Sequence, residues 1–161
     1  TYGDERLHVS MHRALHRPVY RFEDGELVNA PQWQRLTDGC LGDERIFHGF
    51  EWTAFPDPEA DLVVDLEQEQ SIEQVRLNFE AGAHRQLFLP SAVSVLVSSD
   101  ARAWQPWAAS ASLGDGRLCL TGPAQTVRYV RLRISNADLH YGPEQRRPIT
   151  RPVHLDELIV V

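Results

Sequence analysis

The stretch Val93-Ser94-Val95-Leu96-Val97 decides how the rest of the chain is read. Its valines fall on every second residue, so Val93, Val95 and Val97 face one way while Ser94 and Leu96 face the other. β-Branched residues on a two-residue period suit a strand, whose side chains alternate between faces. The same period recurs on both sides. Toward the N-terminus, Val75, Leu77 and Phe79 enclose Arg76 and Asn78, and the run Asp61-Leu62-Val63-Val64-Asp65-Leu66 precedes them. Toward the C-terminus, Val130, Leu132 and Ile134 alternate with Arg131, Arg133 and Ser135, and the run Leu155 to Val161 follows. Turn-forming residues separate these runs, among them Ser98-Ser99-Asp100 and Gly114-Asp115-Gly116. The 10 prolines fall mostly between strand candidates, where a missing N–H does no harm. The best helical candidate, Ser10 to His16, is too short to carry an amphipathic face. Several short strands joined by irregular loops predict an all-β chain folded as an antiparallel β-sandwich.

Composition narrows the function. The chain has 161 residues, the size of one domain. A fold of this length buries roughly 70% of its unfolded surface and needs no disulfide or zinc staple. The 16 basic and 23 acidic residues give a net charge of −7, which argues against a nucleic-acid partner held through phosphates. No apolar run approaches the length of a membrane span, so no membrane partner is expected. Every basic residue is Arg, which excludes Schiff-base lysine chemistry and a P-loop lysine. No Gly-x-Ser-x-Gly elbow, Cys-His signature or Gly-rich phosphate loop is present. Asp61, Asp65, Asp156 and Glu157 are the acids from which a hydrolytic carboxylate pair could be drawn. Asp65, inside a strand run, is more simply a structural hydrogen-bonding residue. The chain opens on Thr1 and closes on the strand-like Leu158-Ile159-Val160-Val161, so the expectation is a single domain, residues 1–161, cut from a larger protein.

Four segments occur in an order that carries a resemblance. The first is Val9 to Val19. The second is Leu36-Thr37-Asp38-Gly39 followed by Gly49-Phe50-Glu51-Trp52-Thr53-Ala54-Phe55. The third runs from Leu62-Val63-Val64-Asp65-Leu66 through Ile72, Val75 and Phe79 to Leu87-Phe88-Leu89-Pro90 and then Val93 to Asp100. The fourth is Val127-Arg128-Tyr129-Val130-Arg131-Leu132, closing with Leu155-Asp156-Glu157-Leu158. Together they resemble the coagulation factor V/VIII type C, or discoidin, family of galactose-binding-like domains, over nearly the whole chain. The Gly49–Phe55 and Leu87–Pro90 segments look most like the module at the C-terminus of bacterial β-N-acetylhexosaminidases. The resemblance implies a jelly-roll sandwich of about eight strands. It further implies a non-catalytic carbohydrate-binding module of a bacterial glycoside hydrolase, secreted, periplasmic or at the cell surface. Its partners would be a glycan and the catalytic domain of the same parent chain.

The resemblance also implies a structural calcium beside the Asp-Gly turn. Carried over by motif, Asp38 and Glu157 supply carboxylates, Arg35 and Cys40 supply carbonyls, and Asp43 is a further candidate ligand. The chemistry agrees, since calcium takes about six to eight oxygens, many of them carbonyls, and an inward acid at position 157 needs a partner or a metal. The plainer alternatives are an Asx-turn at Asp38 and an exposed strand residue at Glu157. Members of the family often place Thr or Asn after the Asp-Gly pair, whereas Cys40-Leu41-Gly42-Asp43-Glu44-Arg45 follows here.

In such modules the sugar sits among loops at one end of the sandwich, where an aromatic face covers a pyranose and polar groups bond its hydroxyls. The loop residues of suitable type are Trp33, Phe47, His48, His84, Arg85, His140, Tyr141, Arg146 and Arg147. Trp52, Trp104 and Trp107 are expected in packing. His12 and His16, four apart, would share a helix face for zinc, but the resemblance makes this segment an extended arm, and zinc is not expected. Cys40 and Cys119 are read as buried free thiols, with a bridge between them left open. The alternative to sugar binding is a structural buttress or a protein-interaction and adhesion domain.

Overall fold

The computed structural model describes residues 12–39, 53–55, 59–79, 92–110, 117–135 and 153–161. Eight strands lie among them: β1 (Val19–Glu23), β2 (Glu26–Asn29), β3 (Thr53–Phe55), β4 (Glu59–Phe79), β5 (Ala92–Ser98), β6 (Gln105–Ser110), β7 (Arg117–Ser135) and β8 (Val153–Val160). A 3-10 turn, Pro31–Thr37, follows β2. All pairings are antiparallel, in the order β2-β1-β4-β7-β5-β6, with β8 on β4 and β3 on β8. The fold class read from the period-two runs is therefore the one observed. No helix among the described residues is long and apolar enough to cross a membrane.

Two long strands make one hydrogen-bonded network serve two layers. The first half of β4 lies between β1 and the last half of β7, in register Leu62↔Leu132 and Val64↔Val130. Its second half pairs with the first half of β7 and with β8, as in Val75↔Leu120 and Val75↔Val160. Between the halves the register shifts from Asp65 to Gln70. At that corner Glu67 takes φ +66°, and its N–H donates to Asp65 Oδ1 at 2.7 Å. Arg128 closes a fork on the same carboxylate, Nε to Oδ1 at 2.9 Å and Nη2 to Oδ2 at 3.1 Å. A bulge braced this way bends a strand from one layer into the other. The runs around Leu62 and Leu77, which the sequence presents as separate strands, are thus two halves of a single bent strand. Asp65 is the structural hydrogen-bonding residue expected.

The core lies where inward residues of both layers meet. Leu62, Val64 and Leu66, then Val75, Leu77 and Phe79, come from β4. Val93, Val95 and Val97 come from β5, Val130, Leu132 and Ile134 from β7, and Leu155, Leu158 and Val160 from β8. Each such side chain removed from water contributes roughly 1.5–3 kcal/mol. β1 and β2 are joined by Asp24 (φ +52°) and Gly25 (φ +79°), the two left-handed residues of a tight hairpin turn. Cys119 is a free, exposed thiol rather than the buried one expected. The strand alternation that buries Leu120 turns its neighbour outward.

Candidate functional site

The Asp38–Gly39 turn forms where the 3-10 turn ends. Side chains fix this short element against its surroundings. Gln34 accepts from Val19 N–H at 3.0 Å and donates to the Val19 and Ala30 carbonyls, while Thr37 Oγ1 donates to Arg17 O at 2.8 Å. Asp38 caps the turn, its N–H reaching Arg35 O at a long 3.4 Å. Gly39 then takes φ +84°, a conformation that a Cβ strains. Its N–H thereby points at Glu157 Oε2, 2.8 Å away and 118 positions along the chain.

Glu157 arrives there because β8 is bulged. Leu77 pairs with Leu158 and Phe79 with Leu155, so Asp156 and Glu157 together face the single residue Asn78. Leu155 and Leu158 both reach the core, and the two acids between them are 0% exposed. Asp156 is held locally: Asn78 Nδ2 donates to its Oδ2 at 2.9 Å, and the Glu157 N–H donates to its Oδ1. Glu157 is held from outside the strand. His12 Nε2 lies 3.0 Å from Oε2, the same oxygen that accepts Gly39 N–H. Oε1 is buried with no hydrogen-bond partner among the described residues.

The electrostatics follow from that burial. Desolvation pushes the Glu157 carboxyl up to about 9; the Gly39 N–H opposes this, and the Asp38 and Asp156 carboxyls add to it by charge. Asp38 also engages Glu157 through a side-chain hydrogen bond that favours the protonated form. Desolvation, helped by the charge of His16, lowers His12 to about 4. At neutral pH the pair is a neutral imidazole beside an acid that resists ionisation.

Two converging carboxyls and one bare buried oxygen call for a proton or a cation. A hard, oxygen-seeking cation fits this donor set. Among the described residues no group of three or more His, Cys, Asp or Glu side chains gathers to hold a metal. A cation here would therefore draw its remaining oxygens largely from backbone carbonyls, as calcium does.

Of the expected ligands, Asp38 and Glu157 are brought together, and Arg35 lies at the same turn. Cys40 and Asp43 lie outside the described residues. His12, considered only as half of a zinc pair, is the site residue that sequence reasoning missed. Trp33 is a correction. It is 8% exposed and belongs to the hydrophobic core, so it cannot offer a face to a sugar. Side chains three apart in a 3-10 turn eclipse one another, and Trp33 faces inward with Leu36. Phe47, His48, His84, Arg85, His140, Tyr141, Arg146 and Arg147 lie outside the described residues, as does Trp52.

Trp104 and Trp107 pack as expected. Trp107 is buried and donates to Pro123 O at 2.9 Å. Trp104 meets Phe22 edge-on, with centroids 5.6 Å apart. Arg131 lies 4.0 Å from the Phe22 centroid and 5.5 Å from that of Trp104, and it holds both Asp61 oxygens at 2.8 and 2.6 Å. Asp61 and Asp65, each forked by an arginine, are not poised as a catalytic pair.

No protein-family model matches the chain, and no curated protein matches it in sequence. Its fold does match solved structures. Chitosan-binding module 1 of a chitosanase/glucanase from Paenibacillus sp. IK-5 aligns with a TM-score of 0.61 at 20% identity, over 94% of this chain and 99% of that one. A fucose-binding module of Streptococcus pneumoniae gives 0.60 at 16% identity, over 93% and 94%. The lectin domain of lectinolysin, solved with Lewis b antigen, gives 0.60 at 19% identity, over 94% and 96%. The chain thus shares its β-sandwich fold with carbohydrate-binding modules.

Proposed function

We propose that this domain is a non-catalytic carbohydrate-binding accessory module whose sandwich is stabilised by a bound calcium ion. The observation that carries the first half is the fold likeness. Over more than nine-tenths of its length the chain superimposes on modules whose ligands are chitosan, fucose and a Lewis antigen. The parent chain is a secreted, periplasmic or cell-surface bacterial glycoside hydrolase of the β-N-acetylhexosaminidase kind, in keeping with the sequence resemblance. Terminal sugars would be gripped by Phe47, His48, His84, Arg85, His140, Tyr141, Arg146 and Arg147, the remaining residues of suitable type. Affinity per site is weak, because a shallow wet site desolvates little apolar area.

The second half rests on Glu157. Its orphaned oxygen and the adjacent Asp38 carboxyl begin the donor set, and the motif resemblance would add the carbonyls of Arg35 and Cys40, with Asp43 a further ligand. Bound there, calcium would neutralise the two acids and tie the Asp38–Gly39 turn to β8.

An amide NMR titration with galactose, fucose, N-acetylgalactosamine, N-acetylglucosamine and glucosamine oligomers tests the sugar reading. Saturable shifts confined to loops at one end of the sandwich are expected. No shift with any of these sugars would overturn it and favour the buttress or adhesion role. For calcium, elemental analysis of the purified protein should find the ion, and chelation should lower the melting temperature. Absence of both effects overturns that half.

A further inference from the structure

We propose that His12 is a positioning residue for the cation: it pins one oxygen of Glu157 so that the other faces the ion. The proposal rests on the calcium reading above and deepens it.

The argument is hydrogen-bond accounting. Ala14 N–H donates to His12 Nδ1 at 3.2 Å, so Nδ1 carries a lone pair and the ring proton of the neutral imidazole is on Nε2. Nε2–H then donates to Glu157 Oε2 at 3.0 Å. Oε2 also accepts Gly39 N–H at 2.8 Å, and these two donors fill it. Oε1 receives none and is buried. Once ionised, and so without the proton it shares with Asp38, the carboxylate is therefore asymmetric, with one oxygen saturated by the protein and one left bare. That is the arrangement of a carboxylate offered to a cation through a single oxygen. Gly39 N–H alone would leave the group free to tilt about its last torsion, and a protein N–H could no longer dictate which oxygen is bare.

The ring is itself fixed. Its side chain is only 2% exposed. The next residue is tied to β8 by Arg13 N–H to Val160 O at 2.8 Å, and the following turn closes with Leu15 N–H to His12 O at 3.3 Å. A neutral donor can bind Glu157 without repelling a cation, which an arginine or lysine in its place could not do. Outer residues that orient a ligating group change metal affinity by roughly 10–100-fold when replaced.

The test is a calorimetric titration of the 161-residue chain with calcium chloride, for the parent and four variants. His12→Phe keeps ring shape and removes the donor, and it should lower calcium affinity by roughly 10–100-fold. His12→Gln places an amide N–H where Nε2 stood and should retain affinity within a few-fold. His12→Asn, whose shorter amide mimics Nδ1 and cannot reach Oε2, should lose affinity like His12→Phe and replaces it should the latter fail to fold. Glu157→Gln should abolish binding. Melting temperatures in chelator, compared across the His12 set, separate the two roles. A purely structural His12 would shift the chelated protein's stability and leave the affinities of the folded variants alike. Equal affinity in parent, His12→Phe and His12→Asn, with loss in Glu157→Gln, overturns the proposal and leaves the calcium reading standing. No binding by the parent overturns both.

Discussion

Stripped of metal, the protein should lose stability as pH rises above neutrality, and calcium should remove that loss. Two groups set the sign. Glu157 titrates at about 9 when folded against an ordinary 4.5, so between those values the folded state holds one more proton than the unfolded state, and stability falls as pH rises. His12 titrates at about 4 against 6.5, so over that interval the unfolded state holds the extra proton, and stability falls as pH drops. From 4.5 to 6.5 the two cancel, and these groups leave stability level. From 6.5 to 9 only Glu157 is unbalanced. Each pH unit then removes about 1.4 kcal/mol, roughly 3 kcal/mol across the window. Calcium binds the ionised carboxylate, so at saturation the proton is already gone and this slope vanishes. The assay is urea unfolding by tryptophan fluorescence at several pH values, in chelator and in excess calcium. A chelated protein as stable at pH 9 as at 6.5 would refute the reasoning. So would an equal decline in the presence of calcium, since Glu157 would then not be the group the ion meets.

Three further perturbations follow from the packing. A Cβ on Gly122 would collide with Trp107 Cε2 and lie 2.6 Å from Cδ2, so Gly122→Ala should destabilise the fold by roughly 1–3 kcal/mol, seen as a lower urea midpoint at unchanged slope; a variant as stable as the parent would mean that the ring shifts freely. Trp33→Ala should lose roughly 3–5 kcal/mol yet leave the sugar affinity of the folded fraction unchanged, and a selective loss of sugar binding would restore Trp33 to the ligand end. Arg131→Met leaves the half-buried Asp61 carboxylate without its forked partner and should lose roughly 1–3 kcal/mol; adding Asp61→Leu should recover part of it in a double-mutant cycle, and strict additivity would show that the pair is uncoupled.

The strands were legible where one face alone is buried. The valine period at 93–97 became β5, and that at 130–134 became the end of β7, because alternation is a direct consequence of the pleat. That Leu62 and Leu77 share one strand was not legible. A bend depends on a corner held by Asp65 and Arg128, which stand 63 positions apart. The Asp24–Gly25 hairpin did have a local signal, a two-residue Asp-Gly between strand-forming runs, and could have been found. Trp33 was chosen for its residue type in a presumed loop, a criterion blind to direction. The turn that sends it inward is set by Pro31 and by Gln34 bonding to β1. At the candidate site, Asp38-Gly39 and Glu157 were legible only through a resemblance in motif order. His12 was not legible, because no local pattern relates it to a residue 145 positions away.

Glu157 is the residue for which stability alone gives no reason. The β8 bulge that turns it away from the strand alternation buries a carboxyl completely, beside a second acid and within reach of a third. Replacing a buried ionisable group with an apolar side chain of similar volume is often neutral or stabilising. A leucine there would remove the desolvation penalty and leave no bare oxygen. The surroundings nevertheless are built for the acid. Gly39 adopts a left-handed backbone and presents its N–H to Oε2; His12 supplies the second donor from the N-terminal segment; and the other oxygen is left open. Three segments distant in sequence converge to orient one carboxylate and then leave half of it unused. That expense has a physical rationale once an ion occupies the open side, because the same oxygens that destabilise the empty site become its ligands, and the turn, the N-terminal segment and the last strand are then held by one centre.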